Sequence, residues 1–144
     1  MQLYALMVGM LVFLLGVVIG SFLNVVIYRF GSGMRLNGRS KCLSCGKTLR
    51  AWMLVPLFSF IAMRGKCGFC GTKLSMQYLL VEAVAGALFL FIAHKNGLFV
   101  PDVSLRSLVI FLGEAAVWST LLVVTVYDLK HHIIPDRFSL MFAV

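Results

Sequence analysis

The chain begins with an uncharged segment long enough to cross a lipid bilayer. Residues 3–28 carry no Asp, Glu, Lys, Arg or His over 26 positions, and a spanning helix needs about 20 apolar residues. In hydrocarbon, backbone polar groups must bond within the chain, which restricts such a segment to a helix. Because it lacks a basic start and a clear cleavage site, we interpret it as a retained helix and not as a removable signal.

Two further apolar segments have the length of membrane spans. Residues 74–93 are interrupted only by Glu82, and residues 107–127 only by Glu114. Hydrophobic residues make up 61% of the chain and charged residues 12%, a composition typical of membrane proteins and not of soluble domains. Residues 138–144 are apolar again, as at the start of a fourth span. We therefore predict an all-α polytopic membrane protein built as a helical bundle.

Basic residues are concentrated between the first two spans. Residues 29–73 contain nine Lys or Arg and no Asp or Glu, whereas residues 94–106 contain two Lys or Arg and Asp102. Cytoplasmic loops are enriched in Lys and Arg, so we predict that residues 29–73 and the end of the third span are cytoplasmic. Most of the net charge of +8 then lies under the inner leaflet, which favours membrane lipid over nucleic acid as its partner.

The basic loop contains the only internal repeat in the chain, two C-x-x-C-G knuckles. Their cysteines are separated by 21 residues; they are Cys42, Cys45, Cys67 and Cys70. Each C-x-x-C turn directs two thiolates at one ion, and two such turns are typical of four-cysteine zinc sites. Because four protein ligands leave no open position for catalysis, we predict a structural zinc site. Redox-active pairs or disulfides are the alternative, which a reducing cytoplasm disfavours.

The chain divides around this loop. We predict a first transmembrane helix at residues 1–28 and a cytoplasmic zinc-binding insertion at residues 29–73. Residues 74–144 would hold helices two and three and the start of a fourth. Between the knuckles, the uncharged residues 51–63 are too short and too proline-broken to span the membrane. We expect them to lie at the membrane interface or beneath the helices, with Trp52 at the headgroup level.

Small residues on the first span predict a close helix contact. Gly16 and Gly20 follow one another at four-residue spacing, which is typical of tightly packed membrane helices. Asn24, one turn further on, is an unusual polar residue in an otherwise apolar span. The glycine spacing therefore indicates helix packing and not a ligand site.

Ionisable residues in or beside the spans are candidate functional residues, because such groups are costly in a membrane. Asp128 ends the third span; the alternative is a carboxylate that merely marks where the helix leaves the bilayer. Glu82 and Glu114 either support a polar active-site cavity or serve in helix packing or snorkelling. We interpret His131 and His132 as solvated basic loop residues, with metal binding or acid–base catalysis as the alternative.

Together these motifs resemble the type IV prepilin peptidase family, over nearly all of the chain. The segments that carry the resemblance are residues 20–29 (GSFLNVVIYR), the two cysteine knuckles, residues 54–60 (LVPLFSF), residues 64–67 (RGKC), Tyr78 with Glu82, and Asp128 followed by Ile134, Pro135 and Asp136. The last of these looks like the first aspartate motif of the family.

The resemblance implies an integral-membrane aspartic endopeptidase of the bacterial inner membrane, with Asp128 as a catalytic residue. Members of the family remove the basic leader of type IV prepilins and of the pseudopilins of type II secretion or DNA uptake, cutting after a glycine at the cytoplasmic face. Many also methylate the new amino terminus with S-adenosylmethionine. The residues that would bind this methyl donor, and the oligomeric state, do not follow from the resemblance.

Aspartic proteolysis requires two carboxylates that share one proton. In the family, the second belongs to a G-x-G-D motif in a later helix, which these 144 residues lack. Asp136 follows a helix-breaking proline and matches an accessory position, and Asp102 is predicted on the opposite side of the membrane. We therefore expect an N-terminal part of the enzyme that does not cleave prepilin alone. The alternatives are a methyltransferase-only remnant and a zinc-stabilised scaffold of a pilus or secretion assembly.

Overall fold

The regular secondary structure of the described residues is helical. The computed structural model describes residues 1–30 and 38–131. In chain order its helices are α1 (Gln2–Arg29), α2 (Phe58–Ala62), α3 (Met76–Lys95) and α4 (Leu105–His131), with a 3₁₀ turn at Ala51–Leu54. These residues form two isolated β-bridges and no strand, so the all-α fold class is confirmed.

Three helices, α1, α3 and α4, are long and apolar enough to cross a membrane, and they correspond to the three predicted spans. α3 begins two residues later than predicted because Ser75 caps it: its Oγ accepts the Gln77 N–H at 3.2 Å. α4 begins two residues earlier, directly after Ser104, whose Oγ accepts the Ser107 N–H at 3.1 Å. Side-chain acceptors therefore set both helix starts.

The most extensive helix contact joins α1 to α3. A Cβ added to Gly16 would lie 2.8 Å from the Ala85 carbonyl oxygen, and one added to Gly20 would lie 2.8 Å from the Ala85 Cβ. Both distances are too short for real side chains. The two backbones therefore touch at the glycines, which confirms the close packing that the spacing of these residues predicts.

The α1–α3 contact is antiparallel. The facing pairs are Gly16 with Gly86, Gly20 with Glu82, and Asn24 with Tyr78. Continued along both chains, this register places Arg29, at the end of α1, opposite Lys73, just before α3. The described part of the cysteine loop, residues 38–75, joins the helices here. We call it the insertion, and this side of the bundle the insertion end.

α4 packs against both partners. The Phe111 ring lies edge-on to Phe89 of α3, with ring centroids 6.0 Å apart. At the insertion end, Tyr127 lies edge-on to Phe30, which follows α1, at 5.3 Å. α4 therefore runs parallel to α1 and ends at the insertion end.

Some predictions fall beyond the described part of the chain. The side chain of His131, the whole of His132 and Asp136, and the predicted fourth span at residues 138–144 lie outside the described residues. The expectations stated for them remain predictions.

Candidate functional site

The four cysteines converge on one point. Their sulfur atoms all lie within 4.8 Å of one another, and Cys42 Sγ and Cys70 Sγ are 3.8 Å apart. Four sulfurs placed about 2.3 Å from a central zinc ion would be separated by roughly 3.8 Å in tetrahedral geometry. All four are free thiols. The predicted grouping into one site positioned to hold a metal ion is confirmed.

The two knuckles share one backbone conformation. Gly46 and Gly71, which follow the second cysteine of each pair, have φ angles of 69° and 71°, a left-handed conformation that glycine adopts without steric cost. Their N–H groups donate to the carbonyl oxygens of Cys42 and Cys67 at 2.8 and 2.9 Å. These matching turns aim both cysteine pairs at the same centre.

Hydrogen bonds favour the thiolate form of two cysteines. The backbone N–H of Cys45 lowers the pKa of Cys42. The Thr72 hydroxyl, 3.3 Å from Cys70 Sγ, lowers the pKa of Cys70 to about 6. At Cys45 itself the Lys47 backbone N–H acts in the same direction, but desolvation and the neighbouring thiols outweigh it and raise its pKa to about 11. Thiolates are the metal-binding form, so this donor set fits a divalent cation.

Two buried polar side chains lie where the insertion meets α1 and α3. Asn24 is 2% exposed; its Nδ2 donates to the Tyr78 carbonyl oxygen at 3.1 Å, and its Oδ1 has no hydrogen-bond partner among the described residues. Glu82 is 7% exposed, and its Oε2 accepts the Leu57 N–H at 2.8 Å. Leu57 has a φ of 58°, which is strained for a non-glycine residue. Glu82 therefore holds a strained turn of the insertion against α3.

A cavity of about 820 Å³ lies between the insertion and these two helices. Asn24 and Glu82 line it from the helices, and Cys42 and Cys67 line it from the insertion. The basic residues that line it are Arg29, Arg39, Lys41 and Lys73. Its volume is within the roughly 300–1,000 Å³ of small-molecule sites. Acceptors and cations around one space suit a ligand that carries both a positive and a negative group.

Asp128 lies at the insertion end of the bundle. The contact between Tyr127 and Phe30 places the last turns of α4 at the level of Arg29, and the Asp128 side chain is half-buried. Asp102 is exposed in the connection between α3 and α4, at the opposite end. The structure thus brings Asp128, but not Asp102, to the same end as the cysteines and the cavity.

Glu114 has a different setting from Glu82. Its Oε1 lies 2.6 Å from Lys95 Nζ, and its Oε2 accepts a hydrogen bond from Asn96 Nδ2 at 2.9 Å. Both partners lie at the C-terminal end of α3, away from the insertion. Glu114 therefore clamps α3 to α4, whereas Glu82 lines the cavity, and the structure distinguishes two glutamates that the sequence left equivalent.

Two contacts of this site are not apparent from the sequence. The Leu57 N–H that donates to Glu82 is a backbone group, which residue type does not encode; Pro56 indicates a turn but not its direction. The partner of Asn24 is likewise a carbonyl oxygen, that of Tyr78. The available signal was Asn24 itself, because a polar side chain in a buried apolar helix requires a partner.

The fold and the site define a helical protein with three membrane-length helices and a four-cysteine cluster fitted to a metal ion. Residues 14–96, more than half of the chain, match the family described as Bacterial Peptidase A24 N-terminal domain. The chain belongs to this family, and the resemblance stated from the motifs is confirmed. The matched residues include all four cysteines, Asn24 and Glu82, while Asp128 lies beyond them.

Several curated relatives are named prepilin leader peptidase/N-methyltransferase. The chain is 33% identical to one from Burkholderia pseudomallei (strain K96243), over 88% of this chain and 46% of the relative. It is 36% identical to one from Myxococcus xanthus (strain DK1622), over 85% and 34%, and 31% identical to one from Pseudomonas putida, over 88% and 49%. The chain thus spans between a third and a half of these relatives. No solved structure matches it.

Proposed function

We propose that this chain forms part of a membrane-embedded aspartic endopeptidase that removes the basic leader of prepilins and pseudopilins. The observation that carries the proposal is the position of Asp128 at the end of a membrane-length helix, level with Arg29. A substrate with a leader outside the bilayer and an apolar helix within it presents the connecting peptide at this level. The nine basic residues of the cysteine loop support a position of this loop, and of Asp128, at the cytoplasmic face of the inner membrane.

Asp128 would supply one carboxylate of the catalytic pair. In this chemistry one carboxylate takes a proton from the attacking water while the other, protonated, donates to the peptide carbonyl. Glu82 is engaged by the insertion, and Glu114 is paired with Lys95 at the other end. We therefore propose that the second carboxylate comes from the G-x-G-D motif of a longer protein, and that this chain alone does not cleave prepilin.

Cleavage of a prepilin in membranes tests this function. We expect cleavage by the chain extended with the sequence encoded downstream of it, and none by the 144-residue chain. Asp128→Asn in the extended form should abolish cleavage, and the control Asp102→Asn, at the opposite end, should retain it. Cleavage that survives Asp128→Asn would favour the scaffold interpretation. Cleavage by the short chain, lost on the same substitution, would show that no downstream carboxylate is needed.

We further propose that the cavity binds S-adenosylmethionine, the donor of a methyl group to the new amino terminus. The names of the relatives include N-methyltransferase activity, and the cavity offers complementary groups. Glu82 and the unpaired Oδ1 of Asn24 would hold cationic groups of the donor, and Arg39 and Lys41 would hold its carboxylate.

Equilibrium binding of S-adenosylmethionine to the purified chain tests the cavity without requiring activity. Glu82→Gln keeps an oxygen for the Leu57 N–H but removes the charge, so we expect it to weaken binding about tenfold or more, as for loss of a charged hydrogen bond of roughly 1.5–3 kcal/mol. The control Glu114→Gln, outside the cavity, should bind normally. Equal affinity of both variants, or no binding by the unmodified chain, would contradict this site.

We propose that the metal is zinc and that its role is structural. Four thiolates complete tetrahedral coordination and leave no position for substrate. Cation–π contacts also join the knuckles, since Lys47 Nζ and the Arg50 guanidinium lie 5.4 and 5.8 Å from the centre of the Phe69 ring. Neighbouring lysines offset the negative charge of the thiolates.

A further inference from the structure

Residues 51–63, the apolar stretch between the knuckles, belong to the insertion, but their middle lies beside the membrane helices and not beyond the helix ends. The depth follows from the register of α1 against α3, in which Gly20 faces Glu82. Gly20 is nine residues before Arg29, which at 1.5 Å per residue is about 13 Å along the helix axis. The Gly20–Glu82 level is therefore well inside the plane where α1 reaches its first charged residue.

One hydrogen bond and one groove place the middle of the stretch near this level. The Leu57 N–H donates to Glu82 Oε2 at 2.8 Å. Leu54 and Pro56 face α1 across a groove of about 290 Å³, whose other side includes Val18 and Phe22. Val18 is eleven residues before the end of α1, so the middle of the stretch lies beside apolar turns of the helix and not beyond its charged end.

Many backbone donors of this stretch have acceptors in or beside it, which favours a place in hydrocarbon, where unsatisfied polar groups are costly. Pro56 has no N–H, and the next residue donates to Glu82. The neighbouring backbone hydrogen bonds are Met53 N–H to Arg50 O, Val55 N–H to Trp52 O, Phe58 N–H to Pro56 O, Ser59 N–H to Val55 O, Ile61 N–H to Leu57 O and Met63 N–H to Ser59 O. The carboxylate of Glu82 thus accepts the Leu57 N–H at the turn.

The outer face of the stretch is apolar and uncovered. Its exposed large side chains are Trp52, Leu54, Val55, Phe58 and Ile61, of which the last two are 64% and 67% exposed. Contiguous apolar surface of this kind marks a contact with a membrane or partner. Arg50 and Arg64 flank the stretch, as suits anionic headgroups on either side of a segment that dips among acyl chains.

We propose that residues 51–63 form a re-entrant segment that enters the hydrocarbon of the leaflet at the insertion end. Its apolar face contacts acyl chains, and its inner face, with Ser59 and Met63, closes one side of the 820 Å³ cavity. The polar cavity consequently extends below the headgroups and is shielded from lipid by this segment. A ligand or peptide end entering it meets Asn24 and Glu82 at membrane depth.

Quenching of single tryptophans in lipid nanodiscs tests the proposal on the whole chain. Trp52 and Trp118 are the only native tryptophans, so both are changed to Phe and one is introduced by Phe58→Trp or, as a second site on the same face, Ile61→Trp. A matched aqueous control is Leu43→Trp in the first knuckle, where Leu43 is 66% exposed. Trp118 of α4, kept as the single tryptophan in the Trp52→Phe variant, is the membrane reference.

We expect the tryptophan at position 58 or 61 to lose most of its fluorescence in lipids brominated on the acyl chains and little to aqueous iodide, as Trp118 does. The tryptophan at position 43 should show the reverse. If both positions 58 and 61 behave like position 43, the segment lies in water and the proposal is wrong. The result does not depend on protease activity, so it is independent of the proposed function.

Discussion

At the residue scale, Glu82 carries the attachment of the insertion to the membrane helices. Leaving the half-buried Leu57 N–H without an acceptor costs about 1–3 kcal/mol. The strained φ of 58° at Leu57 means that the turn itself is unfavourable and cannot make up for this loss. We therefore expect Glu82→Ala to lower the free energy of unfolding by about 1–3 kcal/mol and to accelerate hydrogen exchange at residues 55–60. Exchange mass spectrometry in nanodiscs measures the second effect.

The conservative variant separates the hydrogen bond from the charge. Glu82→Gln retains an oxygen at the end of a side chain of the same length, and this oxygen can still accept the Leu57 N–H. Hydrogen exchange at residues 55–60 should therefore stay close to that of the unmodified protein. If Glu82→Gln loosens these residues as much as Glu82→Ala, the carboxylate acts by its charge and not as the acceptor for Leu57.

The same residues show what sequence could and could not predict about the site. The four cysteines were predictable because repeated C-x-x-C-G turns encode their own geometry. Glu82 was recognisable as a costly residue in an apolar helix, but its partner was not, because a backbone N–H presented by a left-handed residue 25 positions away leaves no trace in the pattern. Asn24 was likewise recognisable as a polar residue in an apolar helix. Its partner, the Tyr78 carbonyl oxygen, was not predictable because it is also a backbone group.

At the scale of the elements, glycine sets the distance between α1 and α3. A side chain at Gly20 would meet the Glu82 Cα at 2.9 Å as well as the Ala85 Cβ at 2.8 Å, and a helix backbone cannot yield as a flexible side chain can. We expect Gly20→Val to force the helices apart and to lower stability by about 1–3 kcal/mol, as overpacking does. Denaturation in detergent, followed by helical circular dichroism, measures the change.

Gly113 of α4 is the matched control, since nothing lies within 4 Å of a Cβ built there. Gly113→Ala should leave stability unchanged or raise it by up to about 1 kcal/mol, because alanine is the better helix former. If both substitutions lower stability equally, the loss comes from replacing any glycine in a membrane helix and not from the α1–α3 contact.

The long helices were predictable to within a few residues because apolar length is a strong signal. The 3₁₀ turn at Ala51–Leu54 and the short helix α2 were not, because a 13-residue apolar run with a central proline has no distinguishing period. Their position follows instead from tertiary contacts, chiefly the bond between Leu57 and Glu82.

At the scale of the whole molecule, the structure has two parts held by different forces. α1, α3 and α4 pack through apolar side chains and glycines, whereas the insertion contains few buried apolar residues and brings its four cysteines together. Local stability follows local contacts. Removal of the proposed zinc should therefore release the insertion and leave the helices folded.

We expect the purified protein to contain one zinc ion per chain by elemental analysis, and Cys67→Ser to lose most of it, since a four-cysteine site needs all its ligands. Chelation of the unmodified protein should then raise hydrogen exchange across residues 38–75, while α1, α3 and α4 keep their protection, because these helices contact one another directly. If α1 and α3 lose protection together with the insertion, the metal stabilises one cooperative unit. If the purified protein contains no metal and its hydrogen exchange does not change with chelator, the thiols and knuckle turns alone stabilise the insertion.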